Sequence, residues 1–383
     1  MKKKVLSLLL ALCLIVGLLP LAAMAEEAAP EVYTMARLLD NAGNKIWDEN
    51  VPAGAATKYA VTSAEGAITE GTADNWNIKL EYPADGKPTL TLKGATLAKA
   101  ITIGGNVDIT VKVETDSTIN VETKGAGFSI ANSGITTITG PGKLSISTYD
   151  GSCLLMSAHV TNLTRGTTVI KDANLDLSPN GESTNQPAIL FYGGDLTIEG
   201  SKIHLDGKNK TVGIWGYASY TKDAEGKVTK VASTWKKGVN DTTPRKLTIV
   251  DSEITGVIRG RNSLGANGDV TIKNSTLDLL SISLENNMPV FDKKPIFEGE
   301  MTVVGGADKS KTEPYDASNY ASYLYIKATP KASSGGTTGG TTGTTPSNPQ
   351  TADTFNVVLV SGLALASMAS LAAVTVLGKK KAI

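Results

Sequence analysis

Apolar and polar residues alternate in short runs along the middle of this chain. In LTIEGSKI, Leu196 and Ile198 alternate with Thr197 and Glu199, the period of two of a strand with one buried face. Ile203 breaks the alternation, because it follows Ile198 by an odd number of residues. For both side chains to reach one core, the chain must turn a corner between them. The same plan recurs in LTLKGATL (Leu90 to Leu97), TVIKDANL (Thr168 to Leu175), LTIVDSEI (Leu247 to Ile254) and VTIKNSTL (Val270 to Leu277).

The fifth position supplies the corner. Gly94, Asp172, Gly200, Asp251 and Asn274 are residue types that tolerate the left-handed backbone region. The sixth is always small: Ala95, Ala173, Ser201, Ser252 or Ser275. After the bend, Ile203 and Leu205, like Leu175 and Leu177 or Leu277 and Leu279, resume the alternation on a second strand. Two pairs of copies start about 28 and 23 residues apart, and the wider gaps of about 78 and 51 hold weaker rungs or insertions. Strand, corner, strand, repeated without helical periodicity, predicts an all-β parallel solenoid whose rungs bury their apolar face by stacking. A β-sandwich is the competing reading; it calls for hairpin turns between the copies and does not ask one corner residue of each.

Further segments extend the pattern: AITIGGNVDITVKVETDSTINV (Ala100 to Val121), ITTITGPGKLSIS (Ile135 to Ser147), AILFYGGDLTIEGSKIHLDG (Ala188 to Gly207) and the closing Glu300 to Ala328. Together they resemble the right-handed pectate-lyase-like β-helices of Gram-positive surfaces, among them a family described as carbohydrate-binding. The resemblance spans roughly Trp76 to Ala328, and implies a right-handed parallel β-helix domain over 76–331. Residues 26–75 match no part of it and are expected to form an N-terminal β cap over the first rung.

Both ends read as addresses. Lys2, Lys3 and Lys4 precede an apolar run from Val5 to Leu19, and Ala23 and Ala25 are the small residues a signal peptidase needs, so residues 1–25 are read as an export signal. Residues 332–347 are a Gly/Thr-rich flexible linker with nothing to bury. Phe355 to Leu377 is long enough to cross a membrane, and the basic tail at 378–383 stays cytoplasmic. Between linker and span, at 348–353, lies NPQTAD. It resembles the cell-wall sorting signal of Gram-positive surface proteins, in the form Asn348, Pro349, Gln350, Thr351, Ala352, with Asn348 and Ala352 departing from the commonest L-P-x-T-G form. That resemblance implies a sortase as partner, cleavage after Thr351, and transfer to peptidoglycan or a pilin. A simple membrane anchor is the alternative.

Of 37 basic and 37 acidic groups, the terminal segments hold six lysines and one aspartate, so the region between them is about five charges negative. That excludes a nucleic-acid partner. Cys153 is the one cysteine outside the leader, and it reads as a small buried group. His204, between Ile203 and Leu205, faces outward by alternation.

No paired-carboxylate or lyase signature of the β-helix enzymes is found, so catalytic residues are assigned none. Carboxylates recur near the corners, at Asp172, Asp176, Asp195, Asp251, Asp269 and Asp278. They suit turn chemistry, and stacked rungs could equally place some at calcium distance. Residues 211–237 read as a hairpin projecting from the coil around Asp223-Ala224-Glu225-Gly226, carrying Trp215, Tyr217, Tyr220 and Trp235. Those rings form either a stacking platform for a polysaccharide or host glycan, or a cover for the hairpin's own apolar side. The expected function is carbohydrate binding or adhesion at the cell wall. A diverged polysaccharide lyase or hydrolase and a structural stalk are the alternatives.

Overall fold

The computed structural model describes residues 33–40, 42–157, 166–179, 186–207, 211–216, 219–222, 228–232, 244–258, 264–282 and 293–331. The segments read above as leader, linker, sorting motif, apolar span and basic tail lie outside the described residues. Among the described residues no helix is long and apolar enough to cross a membrane.

The structure is all-β. Three sheets of eleven, ten and eight strands account for it, beside a two-stranded hairpin and one short 3₁₀ turn, Ala317–Ser322. Each octapeptide feeds two of the sheets. Leu196–Glu199 lies in the eleven-stranded sheet and Lys202–Asp206 in the ten-stranded one, with only Gly200 and Ser201 between them. The copies then pair in parallel and in register, Leu196 with Leu247 and Leu247 with Val270. Hairpin-joined copies, the basis of the sandwich reading, do not give this pairing.

The corner residues adopt the conformation expected of them. Gly94 and Gly200 have φ of 65° and 58°. Asp172, Asp251 and Asn274, at 49°, 48° and 47°, are the positive-φ residues other than glycine among the described residues. With the corner made, Leu196, Ile198, Ile203 and Leu205 all point inward and are fully buried. Each such side chain contributes about 1.5–3 kcal/mol of transfer free energy.

The small sixth residues do more than fit. Ser252 Oγ donates to Val250 O at 2.7 Å and accepts the Ser201 N–H at 3.1 Å. Ser275 Oγ repeats this on Lys273 O and Ser252 N–H, and Ser201 Oγ accepts the Ala173 N–H. The serines form a ladder inside the corner that satisfies one buried backbone donor per rung and ties each rung to the next.

The wide gaps resolve as expected in kind. The gap of about 78 residues holds two further triplets of strands, Ile109–Thr115, Ser117–Lys124, Phe128–Asn132 and Thr136–Thr139, Lys143–Asp150, Leu154–Ser157. The gap of about 51 holds an antiparallel hairpin, Ser219–Lys222 with Val228–Ala232. The hairpin is shorter than the sequence suggested. Thr211–Gly216, expected as part of its first arm, is instead a strand of the eight-stranded sheet, parallel to Gln186–Phe191 and Leu264–Ala266.

Both ends of the stack turn antiparallel. Tyr33–Leu39 pairs with Lys45–Pro52 and with Ile101–Gly105. Lys58–Thr62, Ile68–Glu70 and Ile78–Glu81 extend the eleven-stranded sheet, and Ile78–Glu81 pairs antiparallel with Thr89–Lys93, so antiparallel pairing passes the expected boundary at residue 75 and reaches the first octapeptide. At the other end Met301–Asp308, Lys311–Pro314 and Tyr325–Pro330 are antiparallel and add no rung. Tyr320 completes this closure. Its hydroxyl donates to Leu264 O at 2.8 Å and accepts the Leu264 N–H at 3.2 Å, supplying the contacts that a further strand would make.

Candidate functional site

The connections around the three sheets differ in length. Between the eleven- and ten-stranded sheets the octapeptide corners take two residues. The connections entering and leaving the eight-stranded sheet vary, short at 106–108, 133–135 and 151–153 and longer at 158–167, 180–185, 217–246 and 259–263; one other long connection, 282–294, joins the ten- and eleven-stranded sheets. Loops that vary in length on a rigid scaffold are where binding surfaces are built, which makes the outer face of this sheet the candidate site.

A column of outward residues crosses that face in register. Arg37 stands beside Thr102, then Ser129, Leu155, Leu190, Trp215 and Gly265. Arg37 is exposed, and Thr102, Ser129, Leu155 and Leu190 are half-buried. The face therefore runs from charged and hydroxylated to aliphatic. Trp215 is 0% exposed, although it lies outside the hydrophobic core cluster that holds its neighbour Ile214. Its indole thus has no free face for a sugar, which corrects its expected place on an exposed platform.

Of the other expected platform residues, Tyr220 is placed on the hairpin opposite Val231. Tyr217 and Trp235 lie outside the described residues, as do Ala23 and Ala25 and the motif from Asn348 to Ala352. One aromatic that the sequence reading passed over belongs to this region. Tyr192 is buried beside the Trp215 column, and burial pushes its phenol up despite a hydrogen bond with Ser157. Arg245, 2% exposed, donates from Nε to Tyr192 O at 2.8 Å, and its own N–H goes to Asn267 Oδ1. Its signal was weak, since a lone arginine after a proline looks like a loop residue.

The recurring carboxylates have structural partners. Asp195 Oδ1 accepts the Lys246 N–H at 2.9 Å. Asp269 meets Lys293 at 2.9 Å and is held below the ordinary carboxylate range by that bond. Asp278 meets Lys309 at 3.0 Å. Asp172 and Asp251 make the corners, and Asp176 stands beside His204 in register. Among the described residues no three His, Cys, Asp or Glu side chains come together as a metal site.

His204 is exposed, with Nδ1 3.2 Å from Thr255 Oγ1. Cys153 is fully buried; its Sγ donates to Ile146 O at 3.2 Å, and burial pushes the thiol up to about 12. At neutral pH it is a thiol and no nucleophile. Such a surface offers non-covalent contact, with hydroxyls at one end of the column and aliphatic groups at the other. Comparison with protein families, with characterised proteins and with solved structures gave no match.

Proposed function

We propose that the three sheets are the faces of a right-handed parallel β-helix, exported, joined to the cell wall through Thr351 by a sortase, and binding carbohydrate without transforming it. The observation that carries the architectural part is the register. Leu196, Leu247 and Val270 are parallel neighbours, and a left-handed residue follows each of their strands at the same place. A stack of that kind is long, rigid and flat-sided, which suits an extended polymer such as a polysaccharide or host glycan.

The anchoring part rests on the order of motif, apolar span and lysines at the C-terminus, with peptidoglycan or a pilin as acceptor. The chain leaves the stack after Tyr325–Pro330, in the C-terminal cap. The linker at 332–347 gives the anchored protein reach. The non-catalytic reading is supported by the recurring carboxylates Asp172, Asp251, Asp269 and Asp278, which make corners or pair with lysines, and by the buried thiol.

The test is affinity electrophoresis on plant and mucin polysaccharides, with and without calcium. Retardation without new reducing or unsaturated ends is expected. Released ends overturn the non-catalytic reading, and passage without retardation on every polymer overturns carbohydrate binding.

A further inference from the structure

The C-terminal cap holds an open cleft of about 480 Å³, within the range of small-ligand sites. It lies between the hairpin of Met301–Asp308 and Lys311–Pro314 and the 3₁₀ turn Ala317–Ser322. Its buried lining is Gly306 and Tyr323. Its exposed lining includes Lys311 and Glu313 on one side, Asn319 and Ser322 on the other.

The base of the cleft is fixed. A Cβ at Gly305 would stand 2.4 Å from the Tyr323 ring, so only glycine lets the strand lie against it. The Tyr323 hydroxyl accepts the Asp316 N–H at 3.1 Å and donates to Glu313 Oε1 at 3.2 Å. Gly306 O accepts the Leu324 N–H at 2.9 Å, and Asp316 caps the turn through the Ser318 N–H. Ring, strand and turn are thereby set before any ligand arrives, which lowers the cost of ordering on binding.

The rim is different. Nearby, Lys309 is paired with Asp278, and Asp308 accepts from Ser310 and the Lys311 N–H. Among the described residues the Lys311 ammonium, the Asn319 amide and the Ser322 hydroxyl make no side-chain hydrogen bond or salt bridge. Glu313 keeps one carboxylate oxygen uncommitted after taking the Tyr323 hydroxyl. These groups converge on a preformed hollow.

We infer that this cleft binds one uncharged sugar ring. The inference rests on the carbohydrate-binding reading and adds a second place to the sheet face described above. A carboxylate accepts from neighbouring sugar hydroxyls, while an ammonium, an amide and a hydroxyl donate to sugar oxygens. The Asp308 carboxyl is held below its ordinary value first by Ser310 and also by the nearby Lys311 ammonium, which leaves Glu313 as the unbalanced charge at the rim and disfavours a uronate. Ala307, exposed in the lining, supplies apolar contact with the ring's C–H groups.

The experiment is saturation-transfer NMR on the full chain with methyl glycosides of glucose, galactose and N-acetylglucosamine, and with galacturonate as the charged comparison. At least one neutral glycoside binds, and Glu313→Gln and Asn319→Ala each weaken it roughly tenfold, the effect of losing one hydrogen bond to a charged or amide group. Circular dichroism of both variants stays that of the parent. Binding of galacturonate alone, or neutral binding that neither variant changes, overturns the inference. Polysaccharide retarded in the gel while no glycoside binds sinks the cleft and leaves the wider reading standing; no retardation and no glycoside binding sinks both.

Discussion

Replacing Asp251 isolates what the corner requires. Asp251 has φ of 48°, and its N–H donates to Lys273 O at 3.1 Å. Ser252, beside it, is 5% exposed and holds both Val250 O and the Ser201 N–H. The corner therefore cannot relax to negative φ without breaking bonds worth about 1 kcal/mol each. An L-residue in the left-handed region costs about 1–2 kcal/mol, less for Asp and Asn and more for a β-branched side chain. Asp251→Val should cost about 2–3 kcal/mol and Asp251→Ala about 1. Asp251→Asn and Asp251→Gly should stay within about 0.5, since the freedom glycine adds to the unfolded chain offsets its relief of strain. Urea unfolding followed by far-UV circular dichroism measures the series. If Gly costs as much as Val, or Val costs nothing, the backbone is not what selects the residue and the reasoning fails.

Ser252→Ala leaves the buried Ser201 N–H without an acceptor, and should lower stability by about 1–3 kcal/mol in the same assay; Thr at this position should recover part of it. Cys153 should resist a thiol reagent in the folded protein at mildly alkaline pH and react fully in denaturant, because burial holds the thiol up near about 12. Asp108 is held below its ordinary 3.8, first by the Lys87 ammonium at 2.7 Å and then by the Ile135 N–H. A carboxyl lowered by folding contributes fully above its unfolded value and loses that contribution as pH falls through the folded one. Asp108→Asn should accordingly flatten the acid limb of the stability curve below about pH 4, measured by thermal unfolding across pH.

The corners were legible because their chemistry is local: only a few residue types enter the left-handed region, so Asp172, Asp251 and Asn274 announce it. The serine ladder was only half legible. Smallness at Ser201, Ser252 and Ser275 was plain, but the acceptor of each N–H lies one rung away, 23 to 51 residues along the chain. The two ends were harder still, since antiparallel strands such as Ile78–Glu81 and Tyr325–Pro330 carry the same alternation as a rung. Direction of pairing is not written in a period of two. Trp215 was misplaced for a related reason, because a run such as Thr211–Gly216 suits a hairpin arm and a rung alike. Its neighbour Leu190 lies about 25 residues back and gave no local cue. Nothing in the sequence singles out the cleft at Tyr323, whose walls come from three segments.

The central claim is the parallel stack, and paired cysteines test it most directly. Thr197 stands beside Thr248 and Glu199 beside Val250, all half-buried on the outer face of the eleven-stranded sheet. Neighbouring strands about 4.8 Å apart are within reach of a disulfide. Thr197→Cys with Thr248→Cys, and separately Glu199→Cys with Val250→Cys, should each oxidise to an intramolecular bond in the folded protein. An antiparallel arrangement can oppose at most one of the two pairs, so a bond in only one of them, or in neither, contradicts the stack.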